Sequence, residues 1–178
     1  MNKYLLAVLL LLLSLSASAD KKSLYEFSLK GAKGAAIDIN SFKGKPLLLV
    51  NIATKCGYTG QLDDLENLYK KYSKKGLTII GIPSNDFGGQ TPESNEKVAE
   101  FCRLKYGVSF PLTAKLIVKG DKKHPLVNHI ITVAGGKEIS WNFEKFLFDG
   151  KGMFVSRFSS SVEPLNSALE KSIKETLK

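Results

Sequence analysis

The sequence predicts an α/β domain in which a central mixed sheet is flanked by helices and preceded by an N-terminal β-hairpin. Short apolar runs of strand length alternate with longer segments whose apolar residues recur at helical spacing. An early strand–helix–strand order implies two parallel strands joined by a right-handed crossover, and a later hairpin adds antiparallel strands to them. The chain of 178 residues has no internal repeat and is long enough for one domain with its own core.

The N-terminal half supplies the hairpin and the strand–helix–strand unit. Residues 27–40 place glycines between short alternating stretches, which predicts the β-hairpin. Residues 46–52 (Pro-Leu-Leu-Leu-Val-Asn-Ile) form a continuous apolar run that is typical of a strand buried on both faces. Leucines and tyrosines recur at helical spacing over residues 61–74, Gly76 ends that helix, and residues 77–83 predict the second buried strand.

The C-terminal half completes the sheet and its helical cover. Residues 95–105 predict a helix with Ser94 as its N-cap. Residues 139–147 and 153–158 predict an antiparallel pair, because an Asp-Gly-Lys-Gly turn separates them. Residues 166–177 predict a closing amphipathic helix. Taken with the N-terminal half, this is the arrangement of a thioredoxin-like fold.

The first residues predict a secretory signal peptide. Lys3 gives a positive start, residues 5–15 are almost continuously apolar, and an Ala-Ser-Ala cleavage motif ends at Ala19. The apolar run is short for a bilayer span, although an uncleaved membrane anchor is the alternative interpretation. We therefore expect a signal peptide over residues 1–19 and one exported domain over residues 20–178, periplasmic or secreted and without stable membrane insertion.

The formal net charge of +9 comes mostly from dispersed lysines. Sequence-specific nucleic-acid readers rely on arginine forks or aromatic stacking faces, and neither pattern is present, so we expect no nucleic-acid partner. A solvated basic surface explains the charge, with attraction to anionic membranes or to an acidic reductant as the weaker functional interpretation. His124 and His129 lack paired ligands at the short spacing of zinc sites, so no metal site is expected.

The two cysteines, Cys56 and Cys102, would by default form one structural disulfide in an exported protein. The position of Cys56 favours a reactive thiol instead. It follows a buried strand and precedes a helix, where nucleophiles of open α/β sheets gather. The amides of that helix and the nearby Lys55 favour the thiolate, which is the reactive form. Thr59 stands where a Cys-x-x-Cys motif would have its second cysteine, which argues against a dithiol reductase or isomerase.

A single nucleophilic cysteine on such a scaffold suggests chemistry with a peroxide. The thiolate attacks one oxygen, and the oxygen that leaves needs a proton or a hydrogen-bond donor. Gln90, Trp141 and Asn142 carry neutral donors that could hold the thiolate without quenching it. From composition alone, a core position is the better interpretation of Trp141, and Gln90 could equally be a solvated loop residue.

Several sequence blocks resemble the glutathione peroxidase family, in the order of that family and over about residues 24–164. They include residues 51–59 (Asn-Ile-Ala-Thr-Lys-Cys-Gly-Tyr-Thr), 83–90 (Pro-Ser-Asn-Asp-Phe-Gly-Gly-Gln) and 141–147 (Trp-Asn-Phe-Glu-Lys-Phe-Leu). The resemblance implies that Cys56 is the peroxidatic residue and that Gln90, Trp141 and Asn142 complete its tetrad. It also implies an enzyme that reduces hydrogen peroxide and organic hydroperoxides without a cofactor.

Cys102 resembles the resolving cysteine of the two-cysteine branch of that family. The resemblance implies that a sulfenic acid on Cys56 condenses with Cys102 to a disulfide, which a thioredoxin-like reductant then reduces. Glutathione is the alternative electron donor. A buried structural thiol is the alternative interpretation of Cys102, because free cysteine packs well in apolar surroundings.

The chain departs from the family pattern at a few positions. Ser84 replaces a frequent third cysteine, Asp86 a frequent glutamine, and Gly60 a frequent proline before the helix, which puts only the helix start in doubt. The insertion that some tetrameric members carry before Trp141 is absent, so we expect a monomer or weak dimer.

Two other functions fit the same residues. In the first, the protein is a peroxide sensor or thiol relay that passes the oxidation of Cys56 to a client protein. In the second, it is a static exported domain with a permanent Cys56–Cys102 disulfide, which predicts a loss of about 2–5 kcal/mol of stability on reduction and no peroxide turnover.

Overall fold

The computed structural model describes residues 23–178, and the predicted signal peptide of residues 1–19 lies outside them. A four-stranded mixed sheet forms the centre. Its strands are β3 (Leu47–Ile52), β4 (Thr78–Pro83), β5 (Lys145–Phe148) and β6 (Phe154–Phe158). Strand β3 pairs with β4 in parallel and with β5 antiparallel, and β5 pairs with β6 antiparallel. The predicted N-terminal hairpin is present as a separate antiparallel pair, β1 (Ser28–Lys30) and β2 (Ala36–Asp38).

Within residues 23–178, four α-helices cover the sheet. They are α1 (Gln61–Tyr72), α2 (Asn95–Tyr106), α3 (Pro125–Val133) and α4 (Ala168–Thr176). Helix α1 connects β3 to β4, which confirms the predicted crossover, and it ends through a short 3-10 turn at Gly76, whose φ is 111°. The Oγ of Ser94 accepts a hydrogen bond from the amide of Lys97, so Ser94 is the N-cap of α2 as predicted.

The two faces of the sheet carry separate apolar cores. Along β3, Leu48 and Val50 belong to the core beneath α1, α2 and α4, whereas Leu47 and Leu49 belong to the core beneath α3 and the hairpin. Every residue of β3 and β4 is buried, which confirms the prediction drawn from their continuous apolar runs. Within residues 23–178, none of the helices is long and apolar enough to cross a membrane.

The predicted strand over residues 139–147 is wrong in its first part, because β5 begins only at Lys145. The carboxylate of Glu144 accepts hydrogen bonds from the backbone amide and the hydroxyl of Ser140, each at 2.6 Å, and so folds this segment into a local turn. Phe143 adopts a left-handed φ of 66°, which no strand residue has. The segment with Trp141 and Asn142 therefore forms an irregular loop at the edge of the sheet.

Candidate active site

Cys56 lies in a tight turn between β3 and α1, and the buried hydroxyl of Thr59 holds that turn. The Oγ1 of Thr59 accepts a hydrogen bond from the amide of Cys56 at 3.0 Å and donates one to the carbonyl of Ala53 at 3.0 Å. The amide of Thr59 in turn donates to the carbonyl of Cys56. Thr59 stands where a Cys-x-x-Cys motif has its second thiol, and its side chain therefore holds the backbone of Cys56 in place.

The sulfur of Cys56 faces a backbone donor at the edge of the apolar core. The side chain belongs to the core beneath α1 and is 9% exposed, so it is shielded but reachable. The amide of Tyr58 donates to the sulfur across 3.5 Å. A hydrogen bond of this kind stabilises a thiolate more than a neutral thiol, because the acceptor carries a full charge.

Gln90 is joined to the segment before Cys56 through its backbone. Its carbonyl oxygen accepts hydrogen bonds from the backbone amides of Thr54 and Lys55, at 3.2 and 3.0 Å. The loop reaches this position through Gly88 and Gly89, whose φ values of 62° and 64° lie in the left-handed region that favours glycine. This double turn directs the side chain of Gln90 toward the loop that carries Asn142.

Asn142 is fully buried and links that loop to Gln90. Its Nδ2 donates to the Oε1 of Gln90 at 3.0 Å, and its Oδ1 is buried without a donor among residues 23–178. Asn51, near the end of β3, secures the same loop. Its Nδ2 donates to the carbonyl of Trp141 at 3.2 Å, and its carbonyl accepts the amide of Phe143 at 2.6 Å.

Trp141 is not the core tryptophan that composition alone would favour. Its side chain is 37% exposed, and its ring packs against that of Phe87 with the centroids 5.7 Å apart. The bond from Asn51 to its carbonyl holds this partly exposed residue at the same sheet edge. The structure thus brings the Cys56 segment, Gln90 and the Trp141–Asn142 loop together at the carboxyl end of β3.

Cys102 lies apart from this hydrogen-bonded network, inside α2. Its side chain is fully buried in the apolar core that also contains Cys56, and both cysteines are free thiols. Burial, with a smaller contribution from the charge of Glu93, raises the pKa of the Cys102 thiol to about 12. Glu93 also accepts from the hydroxyl of Thr54 at 2.7 Å and pairs with Lys55 at 3.3 Å, so it lies between the segment before Cys56 and the helix of Cys102.

Several residues that organise the site were not identified from the sequence. Thr59 and Asn51 act through side-chain hydrogen bonds to the backbone. The sequence signal of Asn51 is a polar side chain inside an apolar run, whereas Thr59 has no such signal. No group of three or more histidine, cysteine, aspartate or glutamate side chains within residues 23–178 is arranged to hold a metal ion. His124 caps α3, because its Nδ1 accepts the amide of Leu126, and burial lowers its pKa.

Comparisons with known proteins agree with this architecture. The family model described as "Glutathione peroxidase" matches residues 24–131. The chain is 45% identical over 159 residues to the "glutathione peroxidase-like peroxiredoxin 2" of Saccharomyces cerevisiae, covering 87% of this chain and 97% of that protein. It is 39% identical to the "glutathione peroxidase homolog BsaA" of Staphylococcus aureus, covering 88% and 99%.

Solved structures give the same result. The crystal structure of T. cruzi GPX1 superposes with a TM-score of 0.71 at 35% identity, covering 88% of this chain and 97% of that one. A thioredoxin family protein from Chlorobium tepidum TLS superposes with a TM-score of 0.67 at 19% identity over 85% and 93% of the two chains, which confirms the thioredoxin-like fold. The chain therefore belongs to the glutathione peroxidase family and is a peroxidase.

Proposed function

We propose that Cys56 is the peroxidatic residue of this enzyme and that Gln90, Trp141 and Asn142 position and stabilise the reacting groups. The observation that carries the proposal is the set of hydrogen bonds that joins the Cys56 segment to Gln90 and Gln90 to Asn142. These contacts hold neutral donors at the sheet edge that bears a shielded thiol with an amide facing its sulfur. The substrates are hydrogen peroxide and organic hydroperoxides, and no cofactor is required.

In the first step, the Cys56 thiolate attacks the terminal oxygen of the hydroperoxide. A sulfur–oxygen bond forms as the oxygen–oxygen bond breaks, and the electron pair goes to the oxygen that leaves. This oxygen takes up a proton and departs as water or alcohol, while Cys56 becomes a sulfenic acid. The amide and indole donors of Gln90, Trp141 and Asn142 stabilise the charge that develops on the leaving oxygen.

In the second step, Cys102 resolves the sulfenic acid. Its thiolate attacks the sulfur of Cys56, the hydroxyl group leaves and is protonated to water, and a disulfide remains. A disulfide requires Cα atoms about 4.4–6.8 Å apart with suitably directed side chains, whereas Cys102 is buried within a regular helix. Helix α2 must therefore open locally before the sulfurs can bond.

The disulfide is then returned to two thiols by an external reductant. We propose a thioredoxin-like protein as the donor and glutathione as the alternative. The yeast relative carries the name "glutathione peroxidase-like peroxiredoxin", which supports a thiol-based peroxidase cycle in this chain. If residues 1–19 direct export, the donor belongs to the periplasm or the extracellular space, and we expect the enzyme to act there as a monomer or weak dimer.

Peroxide consumption by the protein from Asp20 onward tests the proposal. Thioredoxin with its reductase, or glutathione with its reductase, supplies the electrons, and NADPH oxidation is followed. Turnover with thioredoxin alone that is lost in both Cys56→Ser and Cys102→Ser is the expected result. Glutathione-driven turnover that survives Cys102→Ser would reduce Cys102 to a packing residue. The absence of turnover with either donor would overturn the proposal and favour the thiol relay or the static disulfide.

A further inference from the structure

Lys145, the first residue of β5, is a fully buried lysine whose donors are all engaged. Its Nζ donates to the Oε1 of Gln61 and to the carbonyl of Val162, both at 2.6 Å, and to the carbonyl of Ser160 at 3.2 Å. The carbonyl of Ser159 lies at 3.5 Å. An ammonium group has three donors, so this geometry satisfies each of them.

Packing alone does not explain a lysine at this position. Removing an ammonium from water is costly, and the ammonium of Lys145 forms no ion pair within residues 23–178. Burial lowers its pKa to about 8, although the charges of Glu163 and Glu144 act in the opposite direction. A methionine would fill the same space without this penalty, so the lysine has a use that depends on its hydrogen bonds.

The bonds of Lys145 connect the two parts of the candidate site. Gln61 is the first residue of α1, and its amide donates to the carbonyl of Tyr58 within the turn that carries Cys56. The Nε2 of Gln61 also donates to the carbonyl of Ser160 at 2.9 Å, so both side chains bind the same carbonyl. On its other side, Lys145 follows Asn142 by three residues along the chain.

We propose that Lys145 is a positioning residue for the peroxide step. Through Gln61 it fixes the start of α1, and hence the turn of Cys56, relative to the loop that carries Trp141 and Asn142. This inference rests on the proposed function, in which Cys56 and Asn142 act together. It adds that the buried amine of Lys145 sets the distance between them. Misplacement by about 1 Å far from the reacting atoms can lower a rate on the order of 100-fold, so a loss of about 10- to 100-fold is expected without Lys145.

Lys145→Met tests the proposal, since it keeps the side-chain volume and removes the donors. Trp141 is the sole tryptophan of the chain, so its fluorescence follows a single oxidation by hydrogen peroxide. The expected result is a kcat/KM for peroxide about 10- to 100-fold below wild type, with kcat/KM for thioredoxin unchanged. A purely structural role would lower the active fraction and therefore reduce both constants equally.

The matched control is Glu170→Gln, which removes the charge of another buried group whose partners lie at the opposite end of α1. It should lower Tm and leave kcat/KM for peroxide within about twofold of wild type. Should Lys145→Met fail to fold, Gln61→Leu leaves the carbonyl partners of Lys145 in place, cuts the link to α1, and must show the same selective loss.

This inference alone would be overturned if wild type, Lys145→Met and Gln61→Leu reduced peroxide at equal rates. It would also be overturned if kcat/KM for peroxide and kcat/KM for thioredoxin fell by the same factor. An inactive wild type would instead overturn the proposed function from which it follows.

Discussion

Gly107→Ala should accelerate the second step of the proposed cycle by weakening the end of α2 nearest Cys102. Gly107 ends α2 with a left-handed φ of 64°, and its amide donates to the carbonyls of Arg103 and Cys102. A Cβ added there would meet no atom within 4 Å, so the substitution introduces backbone strain and no collision. An L-residue in this conformation costs about 1 kcal/mol relative to glycine.

The expected magnitude follows from the state in which Cys102 reacts. A pKa of about 12 in place of the ordinary 9.0 makes the thiolate of Cys102 about 1000-fold rarer at neutral pH while α2 is closed. Reaction therefore proceeds through the open helix, where burial no longer suppresses the thiolate. Opening releases the strain at Gly107, so about 1 kcal/mol of destabilisation raises the open population, and with it the rate of disulfide formation, about fivefold.

The assay separates the two chemical steps. One equivalent of hydrogen peroxide is added to the reduced protein, samples are alkylated at intervals, and mass spectrometry distinguishes sulfenic acid from disulfide. Gly120→Ala is the matched control, because Gly120 has a similar φ of 76° with equally open space and lies outside α2. Disulfide formation should be about fivefold faster in Gly107→Ala alone, and oxidation of Cys56 should be unchanged in both variants.

One result would refute this reasoning. Hydrogen exchange over residues 95–106 reports whether Gly107→Ala has loosened α2. A helix that exchanges faster while the disulfide forms at the wild-type rate would mean that Cys102 does not need local opening. The burial of Cys102 would then have no kinetic consequence.

Three further predictions address stability and the turn of Cys56. Because burial raises the pKa of Cys102, its contribution to stability is complete below about pH 9 and is lost toward pH 12. The opening of α2, followed by hydrogen exchange, should therefore increase more steeply above pH 9 in wild type than in Cys102→Ala. Hydrogen bonds from Lys71 and then Tyr72 lower the pKa of Glu170 to about 2, so its stabilisation is present above pH 4.5 and is lost as the pH falls toward 2. Urea unfolding of Glu170→Gln should show a free energy of unfolding about 2 kcal/mol below wild type at pH 7 and almost equal to wild type near pH 2. The figure at pH 7 is reduced from the full effect of the pKa shift because solvent screens the two half-exposed lysine partners, Lys71 and Lys174. Thr59→Val leaves the amide of Cys56 without its acceptor, so it should lower the free energy of unfolding in urea by about 1–3 kcal/mol and slow peroxide reduction. Thr59→Ser keeps the hydroxyl and should retain wild-type stability and the wild-type rate of peroxide reduction.

The parts of the fold that the sequence predicted well are those in which burial sets the residue pattern. Both strands of the parallel pair are buried along their whole length, and an uninterrupted apolar run reports that directly. The early part of the predicted strand at 139–147 failed for a local reason. Its apolar residues alternate as in a strand, but the bonds from Ser140 to Glu144 and the left-handed Phe143 turn the chain before the ladder begins.

The site was predictable only as far as residue type and position carry information. Cys56 follows a buried strand, which marks a nucleophile, but the contacts that orient it join distant parts of the chain. Asn51 binds the carbonyl of Trp141 across 90 positions of sequence, and no local pattern encodes such a pair. Lys145 was missed for another reason. A charged residue beside apolar ones in a strand suggests a solvent-facing side chain, and the structure buries it.

The proposed cycle makes opposite demands on the two cysteines, and the contacts around α2 can satisfy both. Oxidation needs the turn of Cys56 held still, and side-chain bonds from Thr59 hold it. Resolution needs α2 to open, yet both flanks of this helix are tied down. The Oδ1 of Asn95 accepts the amide of Lys115 at 2.8 Å, and the buried carboxylate of Glu66 accepts both the amide and the hydroxyl of Ser109 at 2.7 Å. A helix anchored at both flanks can unwind between them without detaching from the domain. A fully buried cysteine can then reach its partner while the rest of the core remains packed.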